Sequence, residues 1–230
     1  DDIVLPAICS GETFNHLPVE AGGINGTDSV PTGTTYTWTV VDANGLVTGD
    51  SNETTAQTSI SQTLTNTSNV PQTLVYTVTP TSGDLGNCVG ETFTITITVN
   101  PVPEIPTQTA EICSEETFTV NPINNPPTTI VPANTTYTWT VDDNTDVDGE
   151  TDEATPQTNI SQTLTNTTNS VQFVVYTVTP TSGADGLCEG APFTLTVQVD
   201  PKPTLDDIVL PAICSGETFN HLPVEAGGIN

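Results

Sequence analysis

The chain repeats itself at two scales, and this repetition constrains its fold more than any single motif. Residues 1–25 recur without change as residues 206–230, a displacement of 205 residues. Within that period the segment TTYTWTV at 34–40 returns at 135–141. Each half of the period is therefore about one hundred residues long, which is the usual size of a β-sandwich domain.

The repetition predicts two domains and the start of a third, at 1–102, 103–205 and 206–230. Identical first and last segments are expected of a stretch taken from a longer tandem array. We expect the export signal and the anchor of that array to lie elsewhere. The closing segment is too short to supply the strands that would bury its apolar face. We therefore expect residues 206–230 to be ordered only where they contact the domain before them.

An all-β fold is indicated by the regular alternation of apolar residues with threonine. In FTITITV at 93–99 and FTLTVQV at 193–199, every second side chain is apolar. This period of two is typical of strands with one buried and one solvated face. Trp38 and Trp139 lie at apolar positions of the TYTWTV strand, so a place in the core is favoured over a role as carbohydrate-stacking platforms.

The charge of the chain disfavours two classes of partner. Lys202 is the only basic residue, and the formal net charge is −27. Because phosphate groups are bound by Lys and Arg, nucleic acid and anionic lipid are excluded as expected partners. The chain has no run of eighteen apolar residues, so no direct insertion into a membrane is expected. The small partners that this charge favours are cations.

The sequence presents no recognisable catalytic set, and no enzyme activity is expected. The two halves share no Ser–His–Asp combination, no His or Cys cluster has metal-binding spacing, and no Gly-rich loop separates a strand from a helix. His16 has Val120 as its counterpart in the second half. That exchange is typical of a residue at the edge of the core rather than of a base or a metal ligand.

Five cysteines are distributed by the same repeat. Cys9 and Cys88 belong to the first domain, Cys113 and Cys188 to the second, and Cys214 copies Cys9. Two cysteines at matching places in each domain predict one disulfide per domain, Cys9 with Cys88 and Cys113 with Cys188, which leaves Cys214 without its mate. A bond between neighbouring domains, such as Cys9 with Cys188, is the first alternative, and free buried thiols are the second.

An acidic stretch, DDNTDVDGETDE at 142–153, raises the question of calcium. Oxygen-bearing side chains alternate ahead of Gly149, as in the first half of an EF-hand loop, but Thr155 stands where the closing Glu belongs. A solvated acidic hairpin is favoured over a weak calcium site of the extracellular kind. Calcium is therefore the one candidate cofactor, and its candidate ligands are Asn144, Asp146, Asp148 and Asp152.

Two kinds of connecting segment are expected to set the shape and the specificity of the array. The linkers VNPVPEIP at 99–106 and VDPKPTLD at 199–206 carry alternate prolines, which favour an extended, stiff connection. Repulsion between acidic domains favours the same rod. The two halves differ in length mainly in the stretches 20–33 and 42–57 and their counterparts, which we interpret as variable loops.

Several segments together resemble one family: ICSGETF and ICSEETF, TYTWTV, QTLTN, VYTVTPTSG and TFTITITVNPVP. They are similar to the PKD-like, immunoglobulin-like repeats of very large Bacteroidota surface proteins, such as gliding-motility adhesins and other type IX secretion cargo. The resemblance implies tandem seven-stranded sandwiches in an extended array at the extracellular cell surface, without catalytic residues. It also marks Ser29, in DSV at 28–30, as a candidate site of O-glycosylation.

The leading functional hypothesis is a structural stalk or filament segment of a repetitive adhesin, acting in adhesion or gliding, with neighbouring repeats as its partners. Copying a spacer domain adds length to a stalk, and this motivates the stalk hypothesis. Two alternatives remain open. The variable loops could bind glycans or other surface groups, so that repetition supplies avidity, or the chain could be a subunit of a non-covalent surface filament.

Overall fold

The computed structural model describes residues 2–19, 29–83, 86–183, 186–205 and 207–223. In the first domain these residues form strands and turns without a helix. The strands are β1 (Asp2–Val4), β2 (Ile8–Cys9), β3 (Thr13–His16), β4 (Thr35–Asp42), β5 (Val47–Thr48), β6 (Glu53–Gln57), β7 (Ile60–Thr63), β8 (Thr65–Asn66), β9 (Gln72–Thr81) and β10 (Phe93–Asn100).

The second domain repeats this element order with fewer breaks. Its strands are β11 (Gln108–Cys113), β12 (Glu116–Val120), β13 (Thr136–Asp142), β14 (Val147–Asp148), β15 (Glu153–Gln157), β16 (Ile160–Asn166), β17 (Gln172–Thr181) and β18 (Phe193–Asp200). No helix able to cross a membrane is found in the part of the chain that the structure describes.

Each domain is a β-sandwich built from a larger and a smaller layer. The larger sheet has the order β1–β10–β9–β4–β6 in the first domain, with β2 also on β10, and β11–β18–β17–β13–β15 in the second. The smaller layer consists of the pairs β3–β7 and β5–β8 in the first domain and of the sheet β12–β16–β14 in the second. The chain is therefore a tandem of two all-β sandwiches, as the alternation of apolar residues predicted.

Each sandwich has its own core, formed by the apolar faces of the two layers. Trp38 and Trp139 are 5% and 6% exposed, which confirms their predicted place in the core. Their indole Nε1 atoms donate to the backbone oxygens of Ser51 and Thr151, at 3.1 and 3.0 Å. The central strands carry fully buried residues, which are Leu74, Tyr76, Val78, Ile95 and Ile97 in the first domain and Val174, Tyr176, Val178, Leu195 and Val197 in the second.

A buried asparagine in each domain explains the QTLTN motif. The Asn166 side chain donates to the carbonyl oxygens of Ser170 and Val199, at 2.7 and 2.9 Å, and accepts the N–H of Thr168 at 2.9 Å. Asn66 makes the matching set in the first domain. The amide thereby satisfies backbone groups that would otherwise be buried without partners, and it ties the smaller layer to the last strand of the larger one.

The two cysteines of each domain lie at opposite ends of the sandwich, so the predicted pairs Cys9–Cys88 and Cys113–Cys188 are wrong. The first strands run parallel to the last, which places Cys9 beside Asn100 and Cys113 beside Asp200. Cys88 and Cys188 instead lie in the loops before β10 and β18, near the far ends of β9 and β17. The intervening strand length is about 30 Å. A disulfide requires Cα atoms within about 7 Å, so neither domain can close its own pair.

The segment 42–57, interpreted from the sequence as a variable loop, is strand for half of its residues. It contains β5 and β6, and Val47 on β5 is 5% exposed within the core. The difference in length between the domains is taken up in the turn before β5, while both short strands are kept in the second domain as β14 and β15. Glycine, asparagine and aspartate in this segment shape turns of the sandwich rather than a long free loop.

Buried tyrosines give the fold a sensitivity to alkaline pH. Burial raises the pKa of Tyr137 from its ordinary value to about 12. Burial also raises the pKa of Tyr76 and Tyr176, with a smaller contribution from the carboxylates of Asp50 and Glu150. An unfolded tyrosine ionises near pH 10. Above that pH the unfolded chain binds fewer protons than the folded chain, so the free energy of unfolding falls as the pH rises.

We predict that stability is flat with pH just below 10 and declines from pH 10 through 12. Phenolate absorbance, followed together with circular dichroism, should appear in one cooperative step with loss of the sheet signal. Tyr176→Phe should weaken the pH dependence, because it removes one of the buried phenols, at a cost of about 1 kcal/mol for its hydrogen bond to Gln162. Ionisation of all four tyrosines near pH 10 while the fold persists would contradict the burial.

Candidate functional site

The junction between the two domains is closed by a disulfide. Cys9 is bonded to Cys188, with 5.7 Å between their Cα atoms and a sequence separation of 179 residues. Cys9 lies where β10 of the first domain ends, and Cys188 lies in the loop that joins β17 to β18 in the second. We call the end of a domain where its last strand finishes the trailing end, and the end that carries this loop the leading end. The bond therefore joins the trailing end of the first domain to the leading end of the second.

The proline linker is packed into this junction rather than left free. Pro101, Pro103 and Ile105 are buried, the last at 7% exposure. Glu104 and Ile130 exchange two backbone hydrogen bonds, of 2.9 and 2.8 Å, in an isolated antiparallel bridge. Ile130 itself is 5% exposed. The linker thus acts as a short strand on the second domain, which removes the hinge that a free linker would provide.

A close backbone contact completes the packing of the linker. A Cβ placed on Gly190 would lie 2.3 Å from the carbonyl oxygen of Pro103, so only glycine fits there without displacing backbone. Gly90, the counterpart in the first domain, would meet only the side chain of Pro80 at 3.0 Å and that residue's backbone at 3.7 Å. The two glycines occupy the same place in the fold, and only the one at the junction faces a linker.

The same positions are exposed where no domain is packed against them. Cys188 is 2% exposed at the junction, whereas its counterpart Cys88 is an exposed free thiol. Ile105 is 7% exposed, whereas its counterpart Leu205 is 69% exposed. Cys113, the counterpart of Cys9, is also an exposed free thiol. The burial of Cys188 is therefore produced by the contact between domains, whereas Ile105 is buried because the linker packs on the core of the second domain, and Leu205 precedes residues that form no strand.

Two grooves lie at the unpartnered ends of the pair. On the leading end of the first domain, a groove is lined by residues that include Ile3, Tyr36, Pro80, Gly90 and Phe93. On the trailing end of the second domain, another is lined by residues that include Ser114, Thr165, Pro201 and Leu205, together with Pro223 from the closing segment. The groove on the leading end of the first domain occupies the place that the linker fills in the second, where Pro103 lies against Gly190.

An ion pair marks the trailing end of the second domain. Lys202 Nζ lies 2.8 Å from Glu115 Oε2, with both side chains more than half exposed. The hydrogen bond and the charge of Lys202 lower the pKa of the Glu115 carboxyl, and Glu115 in turn raises the pKa of Lys202. At the trailing end of the first domain the counterparts are Gly11 and Val102. The two trailing ends are thus built alike but differ in charge.

The acidic stretch at 142–153 forms the turn around β14, where its side chains cap backbone groups. Asn144 Oδ1 accepts the N–H of Asp146 at 3.1 Å, and Asp152 Oδ1 accepts the N–H of Val141 at 2.8 Å. Asp148 is exposed on β14. Among the described residues, no group of three or more His, Cys, Asp or Glu side chains is placed to hold a metal ion. The calcium site stays a prediction.

The glycine that suggested an EF-hand has a separate structural role. Gly149 adopts φ +102°, and a Cβ there would lie 2.3 Å from the carbonyl oxygen of Thr163. Gly49 in the first domain has φ +89° and the same contact with Thr63, at 2.1 Å. The first domain lacks the run of alternating acidic residues, so this glycine is required by the turn itself.

The remaining sequence-derived sites are distributed as follows. Ser29 is exposed and borders the groove on the leading end of the first domain, while Asp28 lies outside the described residues. His16 is half-buried opposite Ile60 at the end of β3, and burial lowers its pKa. In the closing segment, residues 207–223 form no strand. Their counterparts near the start of the chain form β1 and β2 because β10 is there to pair with them.

Sequence reasoning missed the residues that build the junction, chiefly Pro103, Ile105, Ile130 and Gly190. One signal was present: an apolar residue follows the prolines in both linkers, as Ile105 and Leu205. A linker that only spaces domains has no need of such a residue. The linker packs on the loop at 121–134, which the sequence indicates to be variable. In the structure Ile130 of this loop pairs with Glu104 of the linker.

We predict that Gly190→Ala lowers the melting temperature of the chain and that Gly90→Ala has a much smaller effect. The added methyl group at 190 must displace the backbone of Pro103, which costs about 1–3 kcal/mol. At 90 it meets mainly the movable ring of Pro80. Differential scanning calorimetry of the two variants provides the comparison. Equal losses would show that the linker contact contributes nothing.

We predict that Asp152→Asn keeps the stability of the chain, with or without calcium, whereas Asp152→Ala loses about 1 kcal/mol. Asn52, its counterpart, caps the N–H of Val40 at 2.9 Å with a neutral amide oxygen. The cap therefore needs an oxygen acceptor and not a charge. Thermal melts in calcium and in chelator measure both effects. A calcium-dependent loss confined to Asp152→Asn would instead make this carboxylate a metal ligand.

Comparison with solved structures finds distant likenesses among other proteins with repeated domains. The FN1–FN3 domains of chicken CNTN1 match with a TM-score of 0.35 and 12% identity, over 79% of this chain and 62% of that one. The EC1–4 domains of Drosophila N-cadherin match with a TM-score of 0.30 and 15% identity, over 74% and 41%. This chain thus spans less than two thirds of either structure. At such TM-scores the likenesses do not bear on function.

The family is shown by the sequence match of both domains. A search of curated proteins finds no match to this chain. The PKD-like domain family, in contrast, matches residues 6–103 and residues 110–203, one match for each sandwich and together most of the chain. This chain, with its two sandwiches joined by a packed linker and a disulfide, belongs to the PKD-like domain family.

Proposed function

We propose that the chain is a stiff, extension-resistant stalk segment of a repetitive extracellular adhesin, acting in adhesion or gliding motility. The observation that carries the proposal is the Cys9–Cys188 bond, which joins the two domains end to end. Disulfides persist in oxidising, extracytoplasmic compartments, so the bond supports a place outside the cytoplasm. PKD-like domains are typically structural modules without catalytic activity, which supports a mechanical role over an enzymatic one.

The path of force through the chain supports the stalk. Tension applied at the ends of the molecule enters through Cys9 and leaves through Cys188, because the bond is the shortest covalent route between them. The residues between them form a closed loop and carry no tension along their backbone. The first core and most of the second lie inside that loop, and the core strand outside it, β18 with Phe193, Leu195, Val197 and Val199, is already extended. Unfolding either core therefore adds almost nothing to the end-to-end length.

Bending at the junction is opposed by separate contacts. The buried Pro103 and Ile105 and the backbone bridge of Glu104 with Ile130 hold the linker on the second domain. The disulfide fixes a second point of attachment outside the linker. Two attachments at one interface restrict rotation far more than a single flexible linker does. The acidic charge of both domains adds repulsion that favours separation over folding back.

The position of one variable loop favours the stalk over the glycan-binding alternative. In the second domain the loop between β12 and β13 contains Ile130, which pairs with the linker, and Val131, which packs against the core. A loop that is engaged in this way presents less of its surface to a glycan.

We predict that pulling the oxidised chain from its ends in single-molecule force spectroscopy releases no length from residues 10–187. Chemical reduction, or Cys9→Ser, should add on the order of 600 Å of contour length, at about 3.5 Å for each of the 179 residues that the bond spans. Cys88→Ser is the matched control and should behave as the unmodified chain does, because Cys88 is a free thiol. Full extension of the oxidised chain would overturn the proposal.

A further inference from the structure

We infer that the trailing end of the second domain binds the leading end of the first domain of a following copy, and that Cys113 forms a disulfide with that copy's Cys88. The inference rests on the proposed stalk, since it concerns how successive copies of the repeat join. It makes every junction in such an array covalent. The partner is therefore chemically defined: a second copy of the 205-residue repeat.

The free Cys88 is held in the same loop geometry as the bonded Cys188. Ser82 N–H donates to the Cys88 carbonyl at 3.0 Å, and Ser182 N–H donates to the Cys188 carbonyl at 2.9 Å. In both loops the cysteine N–H donates to the serine Oγ at 3.1 Å. The residue before each cysteine has a positive φ, 41° at Asn87 and 47° at Leu187. The leading end of the first domain is thus preformed for a bond that it lacks.

The free Cys113 is likewise held as the bonded Cys9 is. Both cysteines extend the parallel first strand to the end of the last strand, at Asp200 and Asn100 respectively. The following serine N–H donates to that residue's carbonyl, at 2.8 Å in each domain. The N–H of each cysteine is capped by a glutamate three residues later. The trailing end of the second domain therefore presents Cys113 in the bonding position.

The grooves at the two ends fit the same arrangement. In the second domain, Pro180, Gly190 and Phe193 are buried, and Pro103 of the linker lies against Gly190. Their counterparts in the first domain line an open groove. The segment that would fill it is 201–205, whose Leu205 is the counterpart of Ile105. This segment directly precedes the first residue of the following copy, because residues 206–230 repeat residues 1–25.

The bond forms by oxidation of two thiols. Cys113 and Cys88 lose two protons and two electrons as their sulfur atoms join, and the disulfide of the oxidant takes up both protons and both electrons as its S–S bond breaks to give two thiol groups. Thiol–disulfide oxidoreductases supply this oxidant in extracytoplasmic compartments, and oxidised glutathione supplies it in the experiment below. Each exposed cysteine is accessible to such a reagent.

The two kinds of bond would overlap along the array. The loop closed by Cys9 and Cys188 covers most of one repeat, and the loop from Cys113 to the next Cys88 begins inside it and ends in the following repeat. Each repeat interior therefore lies within at least one closed loop. Rupture of one bond leaves a second covalent route in place, which is a property that neither type of bond has alone.

The experiment compares the 230-residue chain with a longer chain in which residues 1–205 directly precede it. Both are refolded in a buffer of reduced and oxidised glutathione, and unreacted thiols are counted by alkylation and intact mass. The shorter chain has three free cysteines, Cys88, Cys113 and Cys214. We expect three free thiols in the longer chain as well, because its four additional cysteines are consumed by two additional disulfides.

Single substitutions identify the partner. Cys88→Ser in the second copy should remove one disulfide and leave four free thiols. The same substitution in the first copy should keep all three disulfides and leave two free thiols, which makes it the matched control. Equal thiol counts in these two variants would overturn the inference, as would five free thiols in the unmodified longer chain. Circular dichroism confirms that each variant folds.

The same count separates this inference from the proposed function. Five free thiols in the longer chain mean that only the Cys9–Cys188 type of bond forms. That result would keep the proposed stalk and contradict the bond between Cys113 and the Cys88 of the following copy. A single free thiol means four disulfides, the number expected from pairing within domains. That result would contradict both the proposed stalk and the inferred second bond. Three free thiols with the predicted response to Cys88→Ser support both together.

Discussion

The structure depends on the parallel pairing of the first strand of each domain with its last. β2 lies beside the end of β10, and β11 lies beside β18 along its length. This pairing carries the first cysteine of each domain to the trailing end, while the hairpin that connects the two longest strands keeps the second cysteine at the leading end. One strand length, about 30 Å, separates them. A domain built in this way cannot close its own disulfide but can bond to a neighbour at either end.

The consequences extend from the bond to the linker and the loops. The proline segment that follows the first domain packs on the second, where Ile105 is buried in the core, whereas Leu205 precedes residues that form no strand and is exposed. Gly190 allows the backbone of Pro103 to approach, and the bridge at Ile130 fixes the loop between β12 and β13. Stiffness therefore arises from several modest contacts at one interface, with a covalent bond that prevents their separation.

Much of the fold could be predicted from local patterns in the sequence. Alternation of apolar residues with threonine identified the long strands, and the two tryptophans were correctly assigned to the core. The role of the acidic turn at 142–153 was harder to predict, because an EF-hand loop and a tight turn of a sandwich both place oxygen-bearing side chains before a glycine. The contact of Gly149 with the Thr163 carbonyl shows why the turn alone requires that residue.

The disulfide could not be predicted by the same means. Two cysteines at matching places in each domain are equally consistent with pairing inside a domain and between domains. The choice depends on whether the first strand pairs parallel or antiparallel to the last, which is a contact over about ninety residues that leaves no trace in local sequence. The junction residues were missed for the same reason, since the linker meets Ile130 and Gly190 through contacts between residues that are distant in the sequence.

The central claim is that Cys9 and Cys188 are bonded across the junction. It is tested most directly by mapping disulfide-linked peptides from the unreduced 230-residue chain, with thiols blocked at acid pH before digestion. A protease that cuts after glutamate is needed, since the single Lys202 precedes a proline. The account predicts one linked pair, containing Cys9 and Cys188, with the other three cysteines alkylated. A linked pair containing Cys9 and Cys88, or Cys113 and Cys188, would contradict it.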